Sequence, residues 1–498
     1  MSEALQVTGC VAATAAVSAA MLVDDRRLRA AGLVAALALA AALVIGEGWD
    51  ELEPLRDRPE LLATATLAGA ALLGGLAAVL RRWPWLLALL LVAALPFRVP
   101  IDVDGSDANL LVPLYAVIGA GVLAFAADAI RGRGEEPGRI PRLLAGALAA
   151  AIVLYAIQAS YSEDIGFAAR NVGFFLIPFA AMLVLLAQVQ WSPRLLAAAL
   201  GVLTAEALLF ACVGIGQHIV GEIFWNPVLE RSNDFHFYFR VNSLFWDPNI
   251  YGRYLALAAV LLAAVLAWSR DPRRSGVLAA VLAVIFAGLT VSFSQTSLFA
   301  LLAGIMVICA LRWSLRWTAI ALPFAIVAVL AAIIVVGGTS AAEDEADEVS
   351  SGRSTLIEGG IDLARAEPLI GHGSASFDEA FRVQEGISPN RPVISHNEPV
   401  TVAAEQGAVG LIAYFGVLVA AFVTLFAGIR RIAPGLGAPA NAVGDPAEGG
   451  DGAVSLARLA LIAAFAALLV HTFGYAGYLT DPLTWALLAI GGALAPRR

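Results

Sequence analysis

The chain has 498 residues, of which 60% are hydrophobic and 14% are charged, and its formal net charge at pH 7 is −9. About a quarter of the residues of an ordinary soluble protein are charged, so this composition excludes a typical soluble domain, and the acidic balance predicts no nucleic-acid partner. Long apolar runs recur between short polar breaks. They predict an all-α, polytopic helical membrane protein whose first partner is the lipid bilayer.

Apolar runs long enough to be membrane helices follow one another along the chain, and since several are short and alanine-rich we expect about 12 to 15 transmembrane helices. The predicted spans are residues 5–23, 30–46, 61–80, 84–97, 110–127, 143–158, 171–189, 195–217, 249–268, 276–293, 296–311, 318–336, 400–427, 455–474 and 482–495. The first lacks a basic leader and a cleavage-like site followed by a soluble domain, which favours a membrane helix over a cleaved signal peptide.

The spans and their connections divide the chain into five predicted regions. They are N-terminal transmembrane helices (1–217), an aromatic-rich connection (218–248), further transmembrane helices (249–336), a large connection (337–399) and C-terminal transmembrane helices (400–498). Inside the last region, the Gly-, Pro- and Ala-rich segment 433–452 is predicted to be a flexible linker.

Arginine clusters fall on every second connection. Because basic residues mark cytoplasmic connections, the segments 218–248 and 337–399 are predicted to be extracytoplasmic. The clusters are Arg26, Arg27 and Arg29; Arg81 and Arg82; Arg131, Arg133, Arg139 and Arg142; Arg270, Arg273 and Arg274; Arg312 and Arg316; Arg430 and Arg431; and Arg497 and Arg498.

The large connection carries most of the net charge, because 12 acidic residues and 4 arginines lie between Gly337 and Glu398. Its acidic start, residues 343–348, is predicted to be solvated. Residues 355–366 place apolar side chains at helical spacing, which predicts an amphipathic helix on the membrane surface.

The sequence Ser395-His396-Asn397-Glu398-Pro399 stands where this connection enters an apolar helix. Pro399 suits the first helical turn, which places His396 and Asn397 beside free backbone N–H groups that favour a phosphate or diphosphate. A neutral His396 can also accept a proton from an attacking hydroxyl. The alternative is a histidine that only caps the helix.

Glu405 lies about two turns into the same helix. An ionisable residue inside a span is a candidate functional group, since a lone buried carboxylate costs free energy. The alternative is a structural hydrogen bond to a neighbouring helix or to an arginine. Gly407 and Gly410 are interpreted as sites of close helix approach.

Arg240 and Asp247-Pro248-Asn249 form a second candidate group at the start of the next span. An arginine can bind phosphate oxygens in a bidentate manner, and Asp-Pro-Asn is typical of a turn that starts a helix. Arg253, one turn inside, either lines a cavity or extends to the interface. The alternative for Arg240 is a surface ion pair with Asp234 or Asp247.

Gly352-Arg353-Ser354 and the later Pro368-Leu369-Ile370-Gly371-His372-Gly373 form a third group. Arg353 is a candidate cation that binds a ligand, and the alternative is a solvated salt bridge. The alternative for Gly-His-Gly is a turn that only connects two elements. His372 and His396 have no third ligand at a recognisable spacing, so no metal site is predicted.

In their order, these motifs resemble the O-antigen ligase and Wzy-type polymerase superfamily of bacterial envelope glycosyltransferases. The resemblance covers about residues 235–415 and includes Arg240, Phe245-x-Asp247-Pro248-Asn249, Ser292-x-Ser294, Gly352-Arg353, Pro368 to Gly373, His396-Asn397 and Glu405-x-Gly407-x-x-Gly410. Gln295 is a departure, since family members often have arginine after this serine.

The resemblance implies a GT-C-like enzyme of the bacterial plasma membrane, without cofactor or obligatory metal. It would move a glycan from an undecaprenyl-diphosphate carrier to an acceptor hydroxyl on a glycan, lipid or protein at the extracytoplasmic face. It implies that Arg240 and Arg353 bind the diphosphate and that His396 orients or deprotonates the acceptor. The other candidate substrate-binding residues are Asn397, Glu405, Asn249, Asp247, His372, Arg170 and Arg253.

Two alternatives remain open at this point. A protein O-oligosaccharyltransferase can share these motifs, and a transporter or flippase of lipid-linked sugars is the alternative outside enzymes. A transporter places polar groups near the middle of several spans, and here only Glu206, Glu405 and His471 qualify. The sequence leaves ligase and polymerase activity undistinguished.

Overall fold

The structure is a computed structural model. It describes residues 1–48, 53, 57–103, 106–132, 138–224, 226–234, 238–337, 353–386, 393, 395–439, 441–443 and 450–496. Within these residues, twelve helices are long and apolar enough to cross a membrane, and three shorter apolar helices accompany them. This confirms the polytopic helical fold and the predicted range of helix numbers.

The chain divides into two units, and both draw on several of the predicted regions. Unit 1 consists of Met1–Gln190, Arg353–Thr424 and Ala476–Ala493. Unit 2 consists of Trp191–Gly352, Leu425–Tyr475 and Leu494–Arg498.

Unit 1 contains most of the helices. They are α1 (Glu3–Leu22), α2 (Arg26–Glu47), α3 (Pro59–Arg82), α4 (Trp85–Ala94), α5 (Val112–Ile130), α6 (Arg142–Gln158), α7 (Ile165–Asn171), α8 (Ile177–Ala187), α15 (Arg353–Ala366), α16 (Phe377–Glu385), α17 (Glu398–Leu425) and α19 (Pro482–Ala493). All eleven residues of α8 are buried, so this helix lies at the centre of the unit. By contrast, α3 is almost entirely exposed, as expected of a helix that faces lipid.

A two-stranded antiparallel hairpin follows α4, and it was not predicted. Strand β1 (Val99–Val103) pairs with β2 (Ser106–Leu110), with Val99 opposite Leu110 and Val103 opposite Ser106. Residues 104 and 105, between the two strands, lie outside the described part of the chain.

A π-helical segment, Val172–Leu176, joins α7 to α8. It makes Ile165–Ala187 one continuous candidate span, which begins earlier than the predicted 171–189. Arg170 lies in α7, just before the π-helical segment, and its side chain is exposed. Short π-helical insertions occur often near functional sites.

The large connection contains two packed helices, α15 and α16. Leu363 of α15 forms a buried cluster with Phe377, Phe381 and Ala404. The helix predicted at 355–366 is therefore confirmed, and Leu363 on its apolar side packs on protein. The placement of this helix on a membrane surface stays a prediction. The acidic run at 343–348 lies outside the described residues.

Unit 2 is built around three mutually packed helices. Its helices are α9 (Pro193–Val220), α10 (Pro227–Asn233), α11 (Pro248–Trp268), α12 (Pro272–Thr290), α13 (Gln295–Arg312), α14 (Leu315–Gly337) and α18 (Asp451–Thr472). Helices α11, α13 and α18 pack against one another. Most of α11 is buried, including Tyr251, Arg253 and Tyr254.

The predicted linker 433–452 is partly packed and not uniformly flexible. Pro434–Leu436 forms a short 3₁₀ helix, and Gly435 lies so close to the Ala310 carbonyl that a Cβ there would come within 1.9 Å of the oxygen. The small residues of this segment are thus used for close contact with the end of α13. Residues 440 and 444–449 lie outside the described part of the chain.

Candidate functional site

Helix α17 is broken at Gly407, which has φ 61° and ψ −159°. This conformation is accessible essentially to glycine alone. A Cβ at this position would lie 2.5 Å from the carbonyl carbon of Leu369. The close approach expected at Gly407 is therefore one between backbones, and it interrupts the helix.

The segment 368–373 crosses the break and satisfies the backbone groups that the break releases. The His372 and Gly373 N–H groups donate to the carbonyl oxygens of Ala404 and Glu405, at 3.0 and 2.8 Å. In the opposite direction, the N–H of Ala408 donates to the Pro368 carbonyl at 2.9 Å. Broken helices persist in membrane proteins only where other groups bond the freed backbone in this way.

The Glu405 carboxylate is buried and binds the turn that leads into α16. Its Oε2 accepts a hydrogen bond from the Ala375 N–H at 2.9 Å, and its Oε1 accepts one from the Phe377 N–H at 3.3 Å. Ala375 has a left-handed φ of 65°. These are the contacts of the structural alternative, and the predicted substrate-binding role of Glu405 stays a prediction.

The end of α6 also binds the crossing segment. Gln158 Nε2 donates to the carbonyls of Ile370 and Gln406, at 3.3 and 3.1 Å, and Tyr161 donates to the Ile370 carbonyl at 2.8 Å. Ser162 donates to the Ser374 carbonyl at 2.8 Å. The sequence carried no signal for these contacts, because they join residues more than 200 positions apart.

His372 joins three segments of unit 1. Its Nδ1 lies 2.8 Å from Glu163 Oε1, and its Nε2 lies 3.3 Å from the Leu363 carbonyl oxygen. Both ring nitrogens of His372 therefore lie within hydrogen-bond distance of an oxygen of the protein. The described contacts of His372 are thus with protein groups, and its role toward substrate stays a prediction.

The start of α17 is held by its own polar residues. Asn397 Oδ1 accepts a hydrogen bond from the Val400 N–H at 3.1 Å, which is a helix N-cap. Ser395 Oγ accepts from the Asn397 N–H at 3.1 Å. His396 precedes this cap with a left-handed φ of 57°, so the capping function considered for His396 is performed by the next residue.

Arg353 begins α15, but its side chain lies outside the described part of the structure. Arg170 lies in unit 1 as well, with its guanidinium 5.6 Å from the centre of the Phe167 ring. The predicted roles of Arg353, His396 and Arg170 stay predictions.

In unit 2, Asp247 begins α11 as predicted. Its Oδ1 accepts hydrogen bonds from the N–H groups of Asn249 and Ile250, at 2.6 and 3.3 Å. Arg240 Nε donates to the Ser292 carbonyl at 3.4 Å, and its backbone N–H donates to Asn233. Arg240 is thus bound to the Ser292-x-Ser294 turn, a contact that was not expected.

Arg253 is buried and belongs to a polar network. Its Nε donates to His471 Nδ1 at 3.1 Å, and it donates to the Tyr475 carbonyl at 3.3 Å. His471 Nε2 in turn lies 3.1 Å from Ser297 Oγ. Arg253 is therefore bound to protein groups and shielded from solvent, and its predicted substrate-binding role stays a prediction. In the sequence, the one signal for His471 is its position as a polar residue inside an apolar span.

Among the described residues, four other than glycine have left-handed φ: Ser243, Phe293, Ala375 and His396. Each lies in or beside one of the motif segments singled out in the sequence. Such conformations cost about 1–3 kcal/mol each and collect at functional sites. Within the described residues, the strained backbone conformations of residues other than glycine therefore lie in or beside these motif segments.

Residues 278–415 match the family model described as O-antigen ligase. Over these residues, the chain is similar to O-antigen ligases. This confirms the resemblance over that range, whereas the part of the resemblance at 235–277, with Arg240 and Asn249, lies before the match. No curated protein matches the chain.

The matched region begins in α12 and ends in α17. It contains the Ser292-x-Ser294 turn, the segment 368–373 and the start of α17. It therefore includes both the break at Gly407 and the segment that crosses it. Together with the membrane spans, it indicates a multi-pass membrane protein with the general activity of a ligase or polymerase type of glycosyltransferase.

Proposed function

We propose that this protein moves a glycan from an undecaprenyl-diphosphate carrier to an acceptor hydroxyl at the extracytoplasmic face of the bacterial plasma membrane. The observation that carries the proposal is the match of residues 278–415 to the O-antigen ligase family model, a range that includes His396. The reaction needs no metal and no cofactor.

This reaction requires few catalytic groups from the protein. A diphosphate is already a good leaving group, so catalysis requires a positioned alcohol and stabilisation of the negative charge that develops. His396 accepts the proton of the acceptor hydroxyl while the new glycosidic bond forms and the bond to the diphosphate breaks. Arg353 and Arg240 bind the departing diphosphate.

The backbone around His396 supports its assignment. A general base must be held within hydrogen-bond reach of the hydroxyl, and here the residue next to His396 is the cap of α17 while Ser395 is buried at 1% exposure. The strained φ of His396 indicates a position set by its surroundings. Asn397, by contrast, uses its Oδ1 for the cap.

Transfer by the purified protein in lipid nanodiscs, with a fluorescent undecaprenyl-diphosphate glycan as donor, tests the proposal. We expect His396→Ala and Arg353→Ala each to lower the rate by about 10²–10⁴-fold, the contribution of a general base or an electrostatic group. The wild-type rate should be the same with and without EDTA.

Arg365→Ala is the matched control for Arg353→Ala. Arg365 lies in the last turn of the same helix, is exposed, and pairs with Asp362 at 2.8 Å, so its removal should leave transfer unchanged. Full activity of both folded test variants would remove these residues from the mechanism. Loss of activity in EDTA, restored by one divalent ion, would contradict the metal-independent scheme.

A further inference from the structure

A buried chain of hydrogen bonds in unit 2 runs from Arg253 to Asn249. It passes through three side chains: His471, Ser297 and Ser294. The Ser297 and Ser294 hydroxyl oxygens are 2.8 Å apart, and Ser294 Oγ lies 2.9 Å from Asn249 Oδ1. All five side chains are at least 90% buried, although the chain joins three different spans.

The direction of every bond in this chain follows from its cationic end. A guanidinium can only donate, so His471 Nδ1 accepts from Arg253 and the proton of the neutral ring is on Nε2. Nε2–H then donates to Ser297 Oγ. The Ser297 hydroxyl proton is left for Ser294, and the Ser294 proton for Asn249.

Asn249 therefore receives a hydrogen bond and must present its carbonyl oxygen to Ser294. An amide has one carbonyl and one NH₂ group, so the Nδ2 group of Asn249 points away from the serine. Among the described residues, the hydrogen bonds of Asn249 use Oδ1 and the backbone N–H, and Nδ2 is the donor that remains.

A cationic side chain is bound to the turn that holds Asn249. Arg240 is bound to the carbonyl of Ser292, on the same turn whose Ser294 holds Asn249. The first N–H groups of α11 are already bonded by Asp247, so the helix N-terminus does not provide the site. Hydrogen bonds in a chain strengthen one another, and the cation at the inner end polarises the Asn249 amide.

We propose that Asn249 binds a phosphate oxygen of the lipid carrier's diphosphate through its Nδ2 group. This rests on the proposed function and assigns a further substrate contact to it. The four residues behind Asn249 act as positioning residues: they do not touch the diphosphate, but they determine which end of the amide faces it.

The test measures binding of two probes to the full chain in nanodiscs: undecaprenyl diphosphate in the bilayer and inorganic pyrophosphate in solution. A hydrogen bond to a charged group predicts that Asn249→Asp, which replaces the donor by an anion, weakens carrier binding about 10- to 100-fold. His471→Leu, which interrupts the chain, should weaken it about tenfold.

His471→Gln separates positioning from simple packing. A glutamine can accept from Arg253 and donate to Ser297, so it should restore most of the affinity lost in His471→Leu. Ser294→Ala is the second interruption if His471→Leu does not fold. Ser275→Ala is the matched control, because it removes another hydroxyl–hydroxyl bond of unit 2, to Ser269 at 3.0 Å, and should leave binding unchanged.

Wild-type affinity in folded Asn249→Asp, or in a folded chain-breaking variant, would overturn the inference while the proposed function stands. Equal losses in His471→Leu and His471→Gln would overturn the positioning role. The wild-type protein could bind pyrophosphate but not the lipid carrier, with pyrophosphate binding weakened by Asn249→Asp. This result would contradict the proposed function, while an anion-binding site at Asn249 would still be supported. Equal affinity for both probes would overturn the assignment to a lipid carrier.

Discussion

At residue 405, a carboxylate inside a span binds two backbone N–H groups of a turn. Burial of a charge is costly unless it is hydrogen-bonded, and both oxygens of Glu405 have such partners in Ala375 and Phe377. The carboxylate in return holds Ala375 in its left-handed conformation. One side chain thus connects α17 to the start of α16.

Truncation of this side chain should destabilise the protein. Glu405→Ala leaves two buried donors without an acceptor, which predicts a loss of about 2–4 kcal/mol in the free energy of unfolding, measured by denaturant titration in detergent. Glu379→Ala is the control, since its carboxylate is 47% exposed and lies 3.7 Å from Arg382, a pair worth at most about 1 kcal/mol. Equal stability of the two variants would contradict the structural role.

At the scale of elements, the broken helix α17 and the segment 368–373 depend on each other. The segment supplies hydrogen bonds to both ends of the break, and Gly407 supplies the space and the backbone conformation for it. In a continuous helix, the backbone N–H and C=O groups would bond to one another and would not be available to the segment. The break therefore positions the turn that contains His372 and Ser374.

Gly407→Ala should prevent this arrangement. The variant combines a conformation that costs an L-residue about 1–3 kcal/mol with a Cβ 2.5 Å from backbone atoms of Leu369. We expect a large loss of folded protein in gel filtration. In the same helix, Gly416 has open space around a Cβ, so Gly416→Ala should be neutral or stabilising by up to about 1 kcal/mol. A well-folded Gly407→Ala protein would mean that the break is not required.

At the scale of the whole molecule, the arginine clusters predict which connections face the cytoplasm. The rule follows from the membrane potential and the insertion machinery, not from packing, so it stays a prediction until it is measured. The large connection with α15 and α16 is the decisive segment, because the proposed reaction requires it to be extracytoplasmic.

Thiol labelling of intact cells tests this orientation. In a background lacking the exposed Cys212, a cysteine at Val383, which is 70% exposed on α16, should react with an impermeant reagent from outside. A cysteine at Trp313, which is 62% exposed in a predicted cytoplasmic connection, should react only after permeabilisation. The opposite labelling pattern would show that the orientation is the reverse of the predicted one, and it would contradict a reaction at the extracytoplasmic face.

From the sequence alone follow the membrane class, the positions of the apolar helices, the Asp247 helix start and the O-antigen ligase resemblance. These are local properties: span length, hydropathy and capping are read within one segment. The same holds for the α15 helix, but not for the surface on which it packs.

Only the tertiary structure decided what the polar residues touch. Arg253 and His471 are 218 positions apart in the chain, and Gln158 and Gln406 are 248 apart. A hydrogen bond between such residues depends on how spans pack, and no spacing along the sequence carries that information. Glu405 and Asn397 illustrate this, because each fits a ligand-binding or a structural role until its hydrogen-bond partners are known.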